Sequence, residues 1–422
     1  MSVSSATFLA GAKGRLLPAS LIFRFFIAAA FYHAAAWALL ALHGGGLIGY
    51  RGGPGPVLAA IHLITLGVLV MTAIGAALQL LSVVTKRPIT AVGLCQLMSW
   101  LYIPGVALLT YGMTIGDGSV MMIGGVAVAL ALAIFAVLIA GNLRGATQID
   151  LTVAHVWLAL LALLILALLA LALIADYDLG FFANHAGAAL AHFVIAAFGF
   201  MGLLALGFSH VLVPMFALAP APKPFLGYVT MGLITAAIAL AAGGALWDLP
   251  LLIAAASLIG LFGMGLHLRA MLRVLKIRMR QRLGLSFLLV RAAWALLPAS
   301  LVLALLAALG LVGDSGATLA GFIIIVGWLL TFLLGILQRI MPFLATMHAG
   351  GPGGRPVSVS ALTNEPALRV HGICHGLGLV AVAAGIIAET PLLVTLGAVV
   401  GMAGALAFLW FAGDVVRRTI MG

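Results

Sequence analysis

Apolar residues run along this chain in blocks of about 20 or more, separated by short polar connections. Each block is long enough to cross a bilayer core of roughly 30 Å as one helix. Twelve are legible: Ala19–Leu42, Val57–Val84, Ile89–Met113, Val120–Ile139, Leu151–Ala175, Ala186–Phe216, Phe225–Leu246, Leu251–Leu272, Leu285–Val312, Ala317–Leu344, Ala367–Ala388 and Pro391–Phe411. Membrane-spanning strands need only about 9–11 residues of alternating polarity, so the blocks predict helices and exclude a barrel. The opening stretch, MSVSSATFLAGAKGRLLPAS, lacks the apolar core and cleavage site of a secretory signal, and no cleaved leader is expected. The pattern predicts an all-α polytopic membrane protein, with residues 1–422 forming a single transmembrane domain.

Composition strengthens this reading, since 65% of the 422 residues are hydrophobic and only 7% are charged, outside the range of soluble domains. Charge then gives the helices a direction. With the N-terminus inside, the inner connections hold Lys13, Arg15, Lys86, Arg87, Arg144, Lys223 and the run RVLKIRMRQR, Arg273–Arg282. Arg355, Arg417 and Arg418 fall on the same side, while the outer connections hold Arg51 against six acids. The formal charge of +11 is therefore expected to meet an anionic inner leaflet, and nucleic acid is not an expected partner. Both termini are expected in the cytoplasm, with the chain in a bacterial cytoplasmic (inner) membrane. Cys95 and Cys374 both fall within blocks, which leaves no disulfide framework.

The blocks also repeat. The second contains GAALQLLS (Gly75–Ser82), the sixth GFSHVLVP (Gly207–Pro214) and the tenth GILQRIMP (Gly335–Pro342). In each, a glycine precedes Ser or Pro by seven positions, and the glycines stand 132 and 128 residues apart. The preceding blocks echo one another from Trp37, Trp157 and Trp294. Together these predict three pseudo-repeated four-helix arcs, roughly 19–141, 149–275 and 284–415, with the second, sixth and tenth helices around a pseudo-threefold axis.

Twelve helices in three arcs, with His62 near the outer end of the second, resemble the catalytic subunit of heme–copper oxidases, nearest to C-type oxidases and bacterial nitric oxide reductases. The resemblance implies that His62 is an axial ligand of heme b, with His33 or His192 as the second ligand. It also admits copper, and an electron-donor protein or quinol as partner. The family's tenth helix carries two heme-ligating histidines, whereas the corresponding stretch here, ATLAGFIIIVGW (Ala317–Trp328), has none. The seventh block likewise lacks the histidine pair that takes the family's copper. A normal binuclear oxygen-reducing site is therefore not expected.

Read on their own, the histidines form two layers. His33, His43, His62, His185 and His192 fall toward the outer face, and His155, His210, His267, His348, His371 and His375 toward the inner one. His371 and His375, in HGICHG, are four apart and so share a helix face, where two imidazoles can ligate one metal. With His210 they are the candidate metal ligands, at a site separate from an outer heme. His43, His185 and His348 sit at block ends, where solvation is the default. All nine acids fall in connections or at block ends, whereas ion-coupled carriers usually keep a carboxylate at membrane depth. Three functions stay open: a heme-binding redox or nitric-oxide-related protein, a metal or small-molecule transporter with a histidine-lined path, and a cofactor-free accessory or assembly subunit.

Overall fold

The computed structural model describes residues 15–146, 148–348 and 358–421. Lys13 and Arg355, counted above among the inner bases, lie outside the described residues. Each apolar block becomes a helix long and apolar enough to cross a membrane: α1 (Ala19–Leu47), α2 (Pro56–Val84), α3 (Val92–Ile115), α4 (Gly118–Arg144), α5 (Leu151–Leu179), α6 (His185–Ala217), α7 (Pro224–Leu246), α8 (Pro250–Lys276), α9 (Gly284–Ala308), α10 (Asp314–His348), α11 (Glu365–Ile387) and α12 (Pro391–Thr419). Among the described residues there is no β-strand. The chain is an all-α, multi-pass membrane protein.

Local chemistry sets where these helices begin. Asp117, Asp150, Asn184 and Asn364 accept from the backbone N–H of Val120, Val153, Gly187 and Ala367, satisfying donors that have no partner within the first turn. Pro56, Pro224, Pro250 and Pro391 start α2, α7, α8 and α12, where a missing N–H costs nothing.

The helices pack in three arcs, α11–α12–α1–α2, α3–α4–α5–α6 and α7–α8–α9–α10, whose members meet in that order, so the spatial arcs are offset by two helices from the bounds 19–141, 149–275 and 284–415 expected from the sequence. The closing helix of each arc also touches the second helix of the next, as α2 on α4, α6 on α8 and α10 on α12. These closing helices form the centre. The most apolar stretches of α10, α2 and α6 are 89%, 72% and 56% buried, against 28–50% in the other nine.

At one matching place the central helices widen into π-helical turns, over Leu63–Val70, Ile195–Gly202 and Ile323–Leu330. These segments begin 132 and 128 residues apart, the spacing of the Gly75, Gly207 and Gly335 landmarks. The fifth residue of each is glycine, and each glycine lies against the preceding helix of its arc: Gly67 on Tyr32, Gly199 on Ala162, Gly327 on Leu296. Eight residues on, Gly75 faces Phe25 and Phe26, Gly207 faces His155, and Gly335 faces the Ser286 carbonyl. The π segment of α10 touches both of the others. Matching residues pack on matching neighbours in all three arcs, so the repeat is structural.

The tryptophan echo does not share this register. Tyr32, Ala162 and Leu296 stand 130 and 134 residues apart, whereas Trp37, Trp157 and Trp294 stand 120 and 137 apart. In helices rich in Leu and Ala, similar strings recur without equivalent packing.

Candidate functional site: buried histidine groups

Eight of the eleven histidines gather in three groups inside the bundle. The first joins the central helices. His62 of α2 and His192 of α6 face each other with ring centroids 6.4 Å apart and planes inclined by 28°. His62 Nδ1 lies 3.0 Å from the Leu58 carbonyl; donation there puts the proton on Nδ1 and leaves Nε2 as a lone pair. His192 Nδ1 has no hydrogen-bond partner among the described residues. Both side chains are only partly buried.

The second group sits where α1, α10, α11 and α12 meet. His33, His371 and His375 are buried, with ring centroids 6.1 Å apart for His33–His371 and 5.7 Å for His371–His375. The Trp37 indole N–H donates to His33 Nε2 at 3.0 Å. His371 Nδ1 donates to the Gly404 carbonyl at 3.0 Å. His375 Nε2 lies 2.8 Å from the Thr331 hydroxyl, whose proton goes to the Val326 carbonyl. Phe408 covers the group, its ring 4.9 Å from that of His371.

The third group lies between α5, α6 and α8. His210 stands between His155 and His267 at ring separations of 5.9 and 5.4 Å. Neither His210 nitrogen has a partner among the described residues, and His155 Nδ1 is held by the Leu151 carbonyl at 2.8 Å. His155 occupies the place that Phe25 holds in the first arc, since both lie under the second landmark glycine.

The sequence-predicted residues are thus grouped differently from expectation. His192 meets His62 as one of the two expected partners. His33 does not, because it lies fourteen residues from either end of α1 and so at mid-helix, in the layer of His371. His210 packs with His155 and His267 and not with His371 and His375. His185, expected to be solvated, bonds at 2.6 Å to Asp176, which is buried in the last turn of α5 and also accepts from Phe182 N–H at 2.6 Å. That carboxylate closes the α5–α6 turn.

A cavity of about 730 Å³ surrounds the first half of α10, between it and α1–α2 on one side and α6–α9 on the other. Its walls are apolar. Tyr50, Arg51 and His185 stand among the lining residues at one end, and Arg51 pairs with Asp314 at the start of α10. Burial raises the Tyr50 phenol pKa above its ordinary value, so this group is a neutral donor, and it bonds to the Gly53 carbonyl at 3.1 Å. Small residues on α10, among them Ala317, Ala320 and Gly321, leave this space open. The cavity reaches the residues flanking the first histidine pair, namely Ile61 and Ile64 on α2 and Leu190 and Phe193 on α6.

No family model matches the chain, and no curated protein matches it in sequence. Among the described residues, no three His, Cys, Asp or Glu side chains converge closely enough to hold one metal ion. Pairs are another matter. Metal–imidazole bonds of about 2 Å put the centroids of two trans imidazoles roughly 6 Å apart, which the His62–His192 separation of 6.4 Å matches. A heme needs that pair plus apolar room beside it, and the adjoining cavity is apolar and lined by the neighbours of both histidines.

Proposed function

We propose that this chain is a heme-binding protein of a bacterial cytoplasmic membrane, with its basic face in the cytoplasm. His62 and His192 would hold the heme iron in this reading, and the single observation that carries it is their apposition across α2 and α6 at 6.4 Å with near-parallel planes. The Leu58 carbonyl fixes the His62 tautomer with its lone pair available, as the hydrogen bond on the far nitrogen of a ligating histidine does. The apolar walls of the cavity exclude water from the space beside the pair. When bound, heme supplies one-electron chemistry, and the partner this calls for is an electron-donor protein or a quinol. The ancestry implied is that of heme–copper oxidase catalytic subunits, with a redox or nitric-oxide-related role and no oxygen reduction to water, because α7 and the first half of α10 contain no histidine.

The test is the optical spectrum of the full chain purified in detergent from heme-sufficient cells. A Soret band is expected in the wild type, lost in His62→Ala and weakened or shifted in His192→Ala, while His371→Phe retains it. Absence of heme from the wild type, or a band unchanged by His62→Ala, overturns the assignment.

A further inference from the structure

The second histidine group takes no part in that reading, and its hydrogen bonds point to a site of its own. Hydrogen-bond accounting fixes each tautomer. Thr331 gives its hydroxyl proton to the Val326 carbonyl, so toward His375 its oxygen can only accept; His375 Nε2 carries the proton and Nδ1 is a lone pair. His371 donates from Nδ1 to the Gly404 carbonyl, so its Nε2 is a lone pair as well. Both lone-pair nitrogens are buried and have no hydrogen-bond partner among the described residues. The two rings project from adjacent turns of α11, near-parallel at 29°, with centroids 5.7 Å apart. That separation suits two imidazoles on one ion with bonds of about 2 Å. Each ring also donates its other N–H to a fixed oxygen, the arrangement that orients ligating histidines.

His33 plays a different part. Trp37 occupies its Nε2, so its proton sits on Nδ1 and it presents a donor to the site and not a lone pair. The ligands supplied by the chain are therefore two neutral nitrogens.

The surroundings select the ion. The acids nearest along the same two helices are Glu365 at the start of α11, exposed beside Arg369, and Asp414 on α12, which is paired with Arg417 and Arg418. Neither belongs to the layer of His371 and His375. The cost of placing an ion in a low-dielectric interior rises with the square of its charge, so an uncompensated dication is penalised about four times as heavily as a monocation. Imidazole nitrogen binds zinc, copper, iron and nickel alike, and of these copper is the one with a stable monovalent ion, so the charge cost and not the ligand type selects it. We infer that His371 and His375 form a two-coordinate site for monovalent copper at mid-membrane, with Thr331 and Gly404 as positioning groups.

The inference does not rest on the heme reading, and its measurement is separate. The full chain, purified anaerobically in detergent, is loaded with tetrakis(acetonitrile)copper(I), desalted, and assayed for retained metal and for competition with bathocuproine disulfonate. One copper per chain is expected, with an X-ray absorption edge of two-coordinate Cu(I) bound by nitrogen. His371→Phe with His375→Phe should abolish retention, and His62→Ala should leave it unchanged even where the Soret band is lost. Should the double variant not fold, the near-isosteric Thr331→Val keeps the test open, because losing the hydrogen-bond partner of a ligating histidine weakens affinity roughly 10–100-fold. Retention that is unaffected by these changes, or a wild type holding no more copper than the double variant, overturns the site. In the latter case the lone pairs serve only an ordered water.

Discussion

Gly67 offers the sharpest test of the packing that defines the bundle. A methyl group built on Gly67 would stand 2.8 Å from Tyr32 Cβ and 2.9 Å from its Cγ, whereas at Gly199 the nearest atom, Ala162 Cβ, is 3.1 Å away. At Gly327 the nearest atoms are at 3.2 Å, one of them the rotatable Leu296 Cδ1. Carbon contacts are comfortable at about 3.5–4.0 Å, so Gly67→Ala must shift Tyr32 by more than half an ångström. Tyr32 cannot yield freely, because its hydroxyl is held to the Ile103 carbonyl at 2.6 Å. Overpacking of this kind costs about 1–3 kcal/mol, and the gain from replacing a helical glycine by alanine offsets about 1 kcal/mol of it. Gly67→Ala should therefore destabilise by up to about 2 kcal/mol, Gly199→Ala by less, and Gly327→Ala should be near neutral. Gly376→Ala, with nothing within 4 Å of the added methyl, is the control and should be neutral or stabilising. Thermal unfolding of the purified variants, followed by exposure of buried Cys95 to a thiol-reactive fluorophore, reads the order directly. Equal midpoints for Gly67→Ala and Gly376→Ala would refute the packing.

Much of this architecture was legible because lipid simplifies the code. A spanning helix must be apolar over its whole length, so all twelve helices could be read from block length, and eight of their starts are marked by a capping Asp or Asn or an initiating Pro. The Gly–Ser/Pro landmarks carried real register because glycine was needed wherever a central helix lies against its arc neighbour, as at Gly75 on Phe25 and Gly207 on His155. The tryptophans carried none, since nothing in the repeat requires an indole there. The π turns were hidden, as their residues, LITLGVLV, IAAFGFMG and IIIVGWLL, read as ordinary apolar helix apart from the shared glycine.

The site was harder to read for a geometric reason. Counting back from the landmarks puts Val194, and not His192, at the place equivalent to His62, which argues against pairing them. Around a threefold axis, however, contacts are heterologous: the face α2 turns toward α6 is not the face α6 turns toward α2. Residues that meet across such a contact need not be equivalent, and His62 with His192 is a case. The His33–His371 contact escaped for another reason. Depth counted from the ends of apolar blocks assumes that those ends are level, whereas His33 lies fourteen residues into α1 and His371 only six into α11, and yet their rings touch. The row His155–His210–His267 was legible only as three members of the inner layer, because the contact of α6 with both α5 and α8 is what brings them together.

Two further outcomes follow from single hydrogen bonds. Tyr102→Phe removes a 3.0 Å bond from a buried phenol to the Leu66 carbonyl within the first π segment; because that carbonyl also accepts from Met71 N–H, the loss should be about 0.5–1.5 kcal/mol, seen as a small fall in unfolding midpoint. Asp176→Ala should act on one turn and not on the whole bundle. It strips the 2.6 Å bonds to Phe182 N–H and to His185, leaving a half-buried donor before α6 and a partly exposed histidine at its start; water reaches both, so the cost should be about 1 kcal/mol per group, the low end for an orphaned donor. Local opening is cheaper than global unfolding where a turn rests on few contacts, so hydrogen exchange should rise at residues 180–188 while the rest of α6 keeps its protection. Because His185 also lines the cavity, an apolar fluorescent probe should enter the variant faster than the wild type. Unchanged exchange at 180–188 would mean that the α5–α6 turn is held by packing and not by the carboxylate.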